Sequence, residues 1–134
     1  MSRKILLVDD DQNTLDLLEL FLYKDYDIIT ALNGFEGLTR AENDLPDLIT
    51  TDITMPVMDG IRFFNRIGRS ELIKRVPIIA VTSFAENVTG KSLLNMGFSG
   101  VIPKPLEREI VTGTIAAAFE SAGKKDAEKN INKG

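Results

Sequence analysis

At 134 residues the chain is about one domain long, and 43% apolar with 27% charged residues is ordinary globular usage, which removes support for disorder, collagen or a disulfide framework. There is no Cys and no His, so disulfides, thiolate nucleophiles, imidazole bases, His-ligated zinc and every Ser-His-Asp triad are excluded; chemistry must run on carboxylates, hydroxyls and Lys. Net charge is −4, and because residues 121–134 hold four Lys against Asp126 and Glu128, residues 1–120 carry −6 and repel nucleic-acid phosphate, so no direct nucleic-acid binding is expected.

The first predicted strand, residues 4–9, is an apolar run that stops at Asp9-Asp10-Asp11 instead of continuing as a signal-peptide core. Nothing elsewhere approaches the ~18 apolar residues of a membrane span, and a cytoplasmic chain without membrane contact is expected. Asp11 is suited to cap a helix carrying Leu15, Leu18, Phe21 and Leu22. A second strand, 27–31, leads to a helix spaced by Phe35, Leu38 and Ala41. Pro46 precedes the third strand, 47–52, which ends in Asp52 and is followed by a helix with Ile61, Phe64 and Ile67. The fourth strand, 76–82, contains Pro77 near its start, where a missing N–H is tolerated, and closes on Thr82 and Ser83. Leu93, Leu94 and Met96 mark a helix that Gly97 can end in the left-handed conformation. The fifth strand, 100–104, ends in Lys104, and Val111, Ile115, Ala118 and Phe119 space the last helix. After Ser121 the apolar periodicity fades. Residues 1–120 are therefore expected to be the domain, and 121–134 a basic flexible tail or linker stub.

Five βα repeats with continuous rather than alternating apolar strands predict an α/β, doubly wound parallel sheet covered on both faces. Such sheets bind ligands beyond the carboxyl ends of their strands. Those ends deliver Asp9, Asp10 and Asp11, then Asp52, then Thr82 and Ser83, then Lys104. Crowded carboxylates repel, and a divalent cation held through oxygen relieves them; few carboxylates plus water suit magnesium. A hydroxyl and an ammonium close by are what phosphoryl oxygens require. Taken singly, the Asp run reads as a solvated cap, Asp52 as a turn residue, Thr82 as a strand former and Lys104 as a surface charge. Complementary chemistry at four strand ends favours a phosphoryl-transfer site.

Leu-Leu-Val-Asp-Asp-Asp, Asp52-Ile-Thr-Met-Pro-Val-Met-Asp-Gly, Ala-Val-Thr-Ser and Pro-Lys-Pro, in that order, resemble the receiver domain of bacterial two-component response regulators over about residues 3–120. The resemblance implies a single flavodoxin-like (βα)5 domain with strand order 2-1-3-4-5. It implies that Asp52 is the phospho-acceptor and a magnesium ligand, with Asp9 and Asp10 as the acidic metal pair and the Thr54 carbonyl as a further ligand. Thr82 would offer its hydroxyl and Ser83 its amide to the phosphoryl group, and Lys104 a bridging ammonium. The implied partners are a sensor histidine kinase or phosphotransfer protein as donor and an output protein or domain as recipient. Self-catalysed phosphoryl transfer and dephosphorylation, rather than conventional enzymology, are implied, with the last two helices and the fifth strand as output face. A cis Lys104–Pro105 bond is also implied.

Two departures stand out. Val101 occupies the position where the family often has an inward-turning aromatic, and Phe84 and Thr54 flank the acceptor without an amide or carboxylate to orient water. Pro103 fits only an edge strand. Among rivals, Ala85-Glu-Asn-Val-Thr-Gly-Lys-Ser92 matches a relaxed P-loop, but Glu86 and Val88 stand where glycine would help a phosphate cradle. An aspartate-nucleophile phosphatase would need a second acid where Thr54 stands, and three Asp would repel a flavin phosphate. A receiver-like module that is never phosphorylated is the remaining alternative.

Overall fold

The computed structural model describes residues 2–83 and 88–132, with side chains as far as 123. Five strands, β1 (Arg3–Val8), β2 (Tyr26–Ala31), β3 (Leu48–Asp52), β4 (Ile78–Thr82) and β5 (Gly100–Pro103), alternate with five helices. The helices are α1 (Gln12–Leu22), α2 (Gly34–Asp44), α3 (Gly60–Gly68), α4 (Gly90–Met96) and α5 (Arg108–Asn132). All strand pairs are parallel and the sheet order is β2-β1-β3-β4-β5, the flavodoxin-like topology expected from the sequence.

Successive side chains of a strand point to opposite faces, so each central strand feeds two cores. Leu6, Val8, Ile49 and Ala80 pack with Phe63, Ile67 and Leu93 on one face. Ile5, Leu7, Leu48, Ile79 and Val81 pack with Leu15, Leu18, Val111 and Ile115 on the other. This double duty is why the runs are continuously apolar. Phe63 is fully buried, and truncating such a side chain to Ala costs about 3–5 kcal/mol.

Local signals end the helices where expected. Asp11 accepts from the Asn13 amide at the start of α1, and Gly97 ends α4 at φ 116°. Pro103 lies on an edge strand in register with Thr82, and Lys104–Pro105 is cis. Three details differ from the sequence reading. Phe35, at 50% exposure, leaves Gly34, Gly37 and Ala41 as the buried positions of α2, because Gly34 and Gly37 let the helix lie directly on Met58, Val8 and Phe63. On α4 only Leu93 is buried, since this short helix touches the sheet through a single side chain; Leu94 and Met96 are exposed. Finally, α5 runs to Asn132, past Ser121, where the sequence places the start of a basic flexible tail or linker stub. Ala, Lys and Glu there favour helix, and the last buried side chains among those described are Ala118 and Phe119.

Candidate functional site

Parallel pairing brings the carboxyl ends of all five strands to one edge. Asp9 follows β1 directly, and its amide bonds to the Ala31 carbonyl, holding it in line with the sheet. Asp9 is 1% exposed; its Oδ1 accepts the Asp11 amide at 2.9 Å, because the chain turns sharply between strand end and helix cap. Asp10 projects into solvent, and Asp52, the last residue of β3, is buried. Carboxylate oxygens of Asp9, Asp10 and Asp52 lie within 4.8 Å of one another.

Lys104 follows β5, and its amide donates to the Thr82 carbonyl at 2.9 Å, which fixes its backbone beside the end of β4. Its Nζ lies 3.4 Å from Asp9 Oδ2 and 3.5 Å from Asp52 Oδ2. One ammonium therefore faces two buried carboxylates with a third beside them.

The electrostatics follow from that imbalance. The Asp9 carboxyl is pushed up to about 6, chiefly by burial and also by the nearby Asp52 charge, against the Asp11 amide and Lys104, which pull it down. Asp52 is also raised by burial, opposed by Lys104 and by the amides of Thr54 and Ile53, which donate to its carboxylate. Three carboxylates with a single ammonium fit a hard divalent cation chemically: oxygen donors, surplus negative charge and one exposed side for water.

Thr82 is buried at the end of β4, with the exposed Ser83 after it; Thr54 is exposed in the loop after Asp52. The cluster thus unites Asp9, Asp10, Asp52 and Lys104, with Thr82 and Thr54 tied to it through backbone groups. Phe84, and the P-loop positions 85–87, lie outside the described residues. The rest of that motif is a helix start: Thr89 and Ser92 satisfy each other's amides through their hydroxyls. A phosphate would have to displace both bonds. Val101, in register with Ala80, is half-buried against the core.

Several site features were not read from the sequence. The Ile53 amide donates to Asp52, and the Thr51 hydroxyl donates to the Asp52 carbonyl at 2.9 Å. Gly60 sits so close that a Cβ there would collide with the Asp52 carbonyl, while its amide bonds Ile53 O at 2.9 Å. Val57 holds φ 73°, closing a turn in which Met58 N donates to Pro56 O. The sequence points to Met55, Pro56 and Gly60 as shaping the loop after Asp52, but not to how closely Gly60 approaches the Asp52 carbonyl. Among the described residues no helix is long and apolar enough to cross a membrane.

Comparison with known proteins agrees with this geometry. Residues 5–116 match the family model described as the response regulator receiver domain. An uncharacterised 14.6 kDa protein from the sodA1 3' region of Leptolyngbya boryana is 36% identical over 104 residues, 77% of this chain and 79% of that protein. The alkaline phosphatase synthesis transcriptional regulatory protein PhoP of Bacillus subtilis is 34% identical over 87% of this chain, which spans 48% of the regulator's length. The chemotaxis protein CheY4 of Vibrio cholerae superimposes with a TM-score of 0.81 at 27% identity, covering 88% of this chain and 99% of that one.

Proposed function

The chain belongs to the response regulator receiver domain family of two-component systems, matched over residues 5–116, and from that premise we propose that Asp52 accepts a phosphoryl group from a partner phosphohistidine. An Asp52 carboxylate oxygen would attack phosphorus as the phosphorus–nitrogen bond breaks, the imidazole of the partner leaving with the bonding pair. The observation that carries this reading is the shared ammonium: Lys104 Nζ stands 3.4 and 3.5 Å from Asp9 and Asp52, poised to meet a phosphoryl oxygen placed between them.

Asp9, Asp10, Asp52 and the Thr54 carbonyl would hold magnesium. Bound there, it would offset carboxylate charge and the charge of the transferring group. The remaining work falls to the chain. The Ile53 and Thr54 amides orient the Asp52 carboxylate, Lys104 holds a phosphoryl oxygen, and the Thr82 hydroxyl and Ser83 amide take the others. Phosphorylation adds roughly one to two negative charges beside Lys104, drawing the end of β4 inward and altering the α4-β5-α5 face read by an output partner. With Val101 in place of an aromatic, that movement is carried by Thr82 at the end of β4. A cytoplasmic histidine kinase or phosphotransfer protein is the proposed donor.

The test is incubation with a small phosphodonor such as acetyl phosphate, with magnesium or with a chelator, followed by intact-mass measurement. One phosphoryl group per chain is expected with magnesium and none with chelator. Equal modification in both would remove the metal from the proposal.

A further inference from the structure

Residues 60–70 contain Arg62, Arg66 and Arg69 and no Asp or Glu, within a chain of net charge −4. Positions 62, 66 and 69 follow the spacing of one exposed face, turned away from buried Phe63 and Ile67, with Arg69 as the C-cap of α3. Their side chains, with Asn65 and the edge of Met58, line a recess of about 200 Å³. Among the described residues, no carboxylate pairs with any of the three guanidiniums, although acidic side chains outnumber basic ones overall. Of the other exposed cations, Arg40 meets Glu36 and Lys74 meets Glu71, while Lys24, Arg75 and Lys91 stand singly on other elements, so it is the grouping of three guanidiniums around one recess that marks this face.

We propose that this exposed face of α3 docks a carboxylate-rich segment of a partner protein. Guanidinium forks match carboxylates bidentately, and three of them over two helical turns suit acids spaced along a facing helix or extended strand. Asn65 adds a neutral amide, and Met58 gives the recess an apolar floor for side-chain methylenes. The recess is smaller than the ~300–1,000 Å³ of small-molecule sites, as befits one or two side chains rather than a nucleotide. A nucleic-acid duplex fits less well, because a short cationic stripe on a net-negative body offers few phosphate contacts. The face lies on α3, and its use does not depend on Asp52 being phosphorylated.

The test is a titration of the full ¹⁵N-labelled chain with hexaglutamate, followed by amide shifts, with a short DNA duplex in a parallel arm. Hexaglutamate should shift the amides of residues 62–69 first, with an affinity that falls as salt rises. Combined Arg62→Gln and Arg66→Gln should weaken binding about tenfold or more, the equivalent of about 1.4 kcal/mol. Combined Arg62→Lys and Arg66→Lys should lose part of the affinity, because charge is kept but the fork is not. The charge-matched control, Lys24→Gln with Lys91→Gln, should bind as wild type. Equal weakening in that control would reduce the effect to net charge and overturn the proposal. So would preferential binding of the duplex, or shifts confined to another surface.

Discussion

Lys104 Nζ and Asp9 Oδ2 meet at 3.4 Å although 95 positions separate them and β3 and β4 lie between their strands. The contact exists because a parallel sheet gathers distant strand ends on one edge, and because a Lys stem is long enough to lean across that edge. The same ammonium is 3.5 Å from Asp52, so neither carboxylate has a cation of its own.

Replacing Lys104 with Ala should leave magnesium binding largely intact, since no metal oxygen donor is removed, while impairing the response to a phosphoryl mimic. Proton–nitrogen spectra of metal-loaded protein with and without beryllofluoride would show it. Loss of the shifts around α4 is expected; wild-type shifts would take Lys104 out of the switch.

Asp9 makes stability depend on pH in an unusual sense. Its carboxyl titrates near 6 when folded against an ordinary 3.8, so the folded metal-free chain binds that proton more tightly than the unfolded one. Its contribution is neutral below the lower value and becomes increasingly unfavourable as pH rises through the window, with the full penalty above the upper value. Asp9→Asn should therefore raise metal-free stability at pH 7 by up to about 3 kcal/mol and flatten the profile between the two values. Urea midpoints in chelator across that range would measure it. A variant less stable than wild type at pH 7 would contradict the burial argument.

Gly60 and Gly113 should respond oppositely to Ala. A Cβ on Gly60 meets the Asp52 carbonyl and the Ile53 Cα, both backbone, so relief requires moving Asp52, the proposed acceptor; a loss of about 1–3 kcal/mol with slower phosphorylation is expected. Gly113 has open space around its Cβ position within α5, and Ala there should add about 0.5–1 kcal/mol. Denaturant midpoints decide both, and a tolerated Gly60→Ala would show that the approach is looser than its geometry implies.

The strands were legible because burial on both faces makes them largely apolar, the polar exceptions in β3 and β4, Thr50, Thr51, Asp52 and Thr82, being themselves buried. Asp9, Asp52 and Lys104 were legible for a related reason: charges that end apolar runs on parallel strands must converge. Backbone donors were not legible, since the amides of Ile53, Thr54 and Asp11 acquire their roles from loop geometry rather than side-chain type. Nor was the left-handed Val57, because a β-branched residue is among the last that local preference would place there. The extension of α5 escaped for the opposite reason: helix formers can continue a helix without the apolar stripe that pattern reading requires.

Thr54 bears on how long a phosphoryl group on Asp52, as proposed, would survive. Its amide is spent on the Asp52 carboxylate and its exposed side chain is short and β-branched, a poor holder of in-line water. Thr54→Asn should hasten dephosphorylation about tenfold, a barrier change of about 1.36 kcal/mol, with the acceptor site unchanged. Decay of the phosphorylated species by mass would measure it; an unchanged or slower rate would leave lifetime to other groups.

The most direct measurement is the intact mass of wild type and Asp52→Ala after incubation with acetyl phosphate and magnesium, with the modified peptide located by fragmentation. Wild type should gain one phosphoryl group, carried on the peptide containing Asp52, and Asp52→Ala should gain none. Modification of Asp52→Ala at the wild-type level, or of wild type at another residue, would contradict the assignment of Asp52 as acceptor.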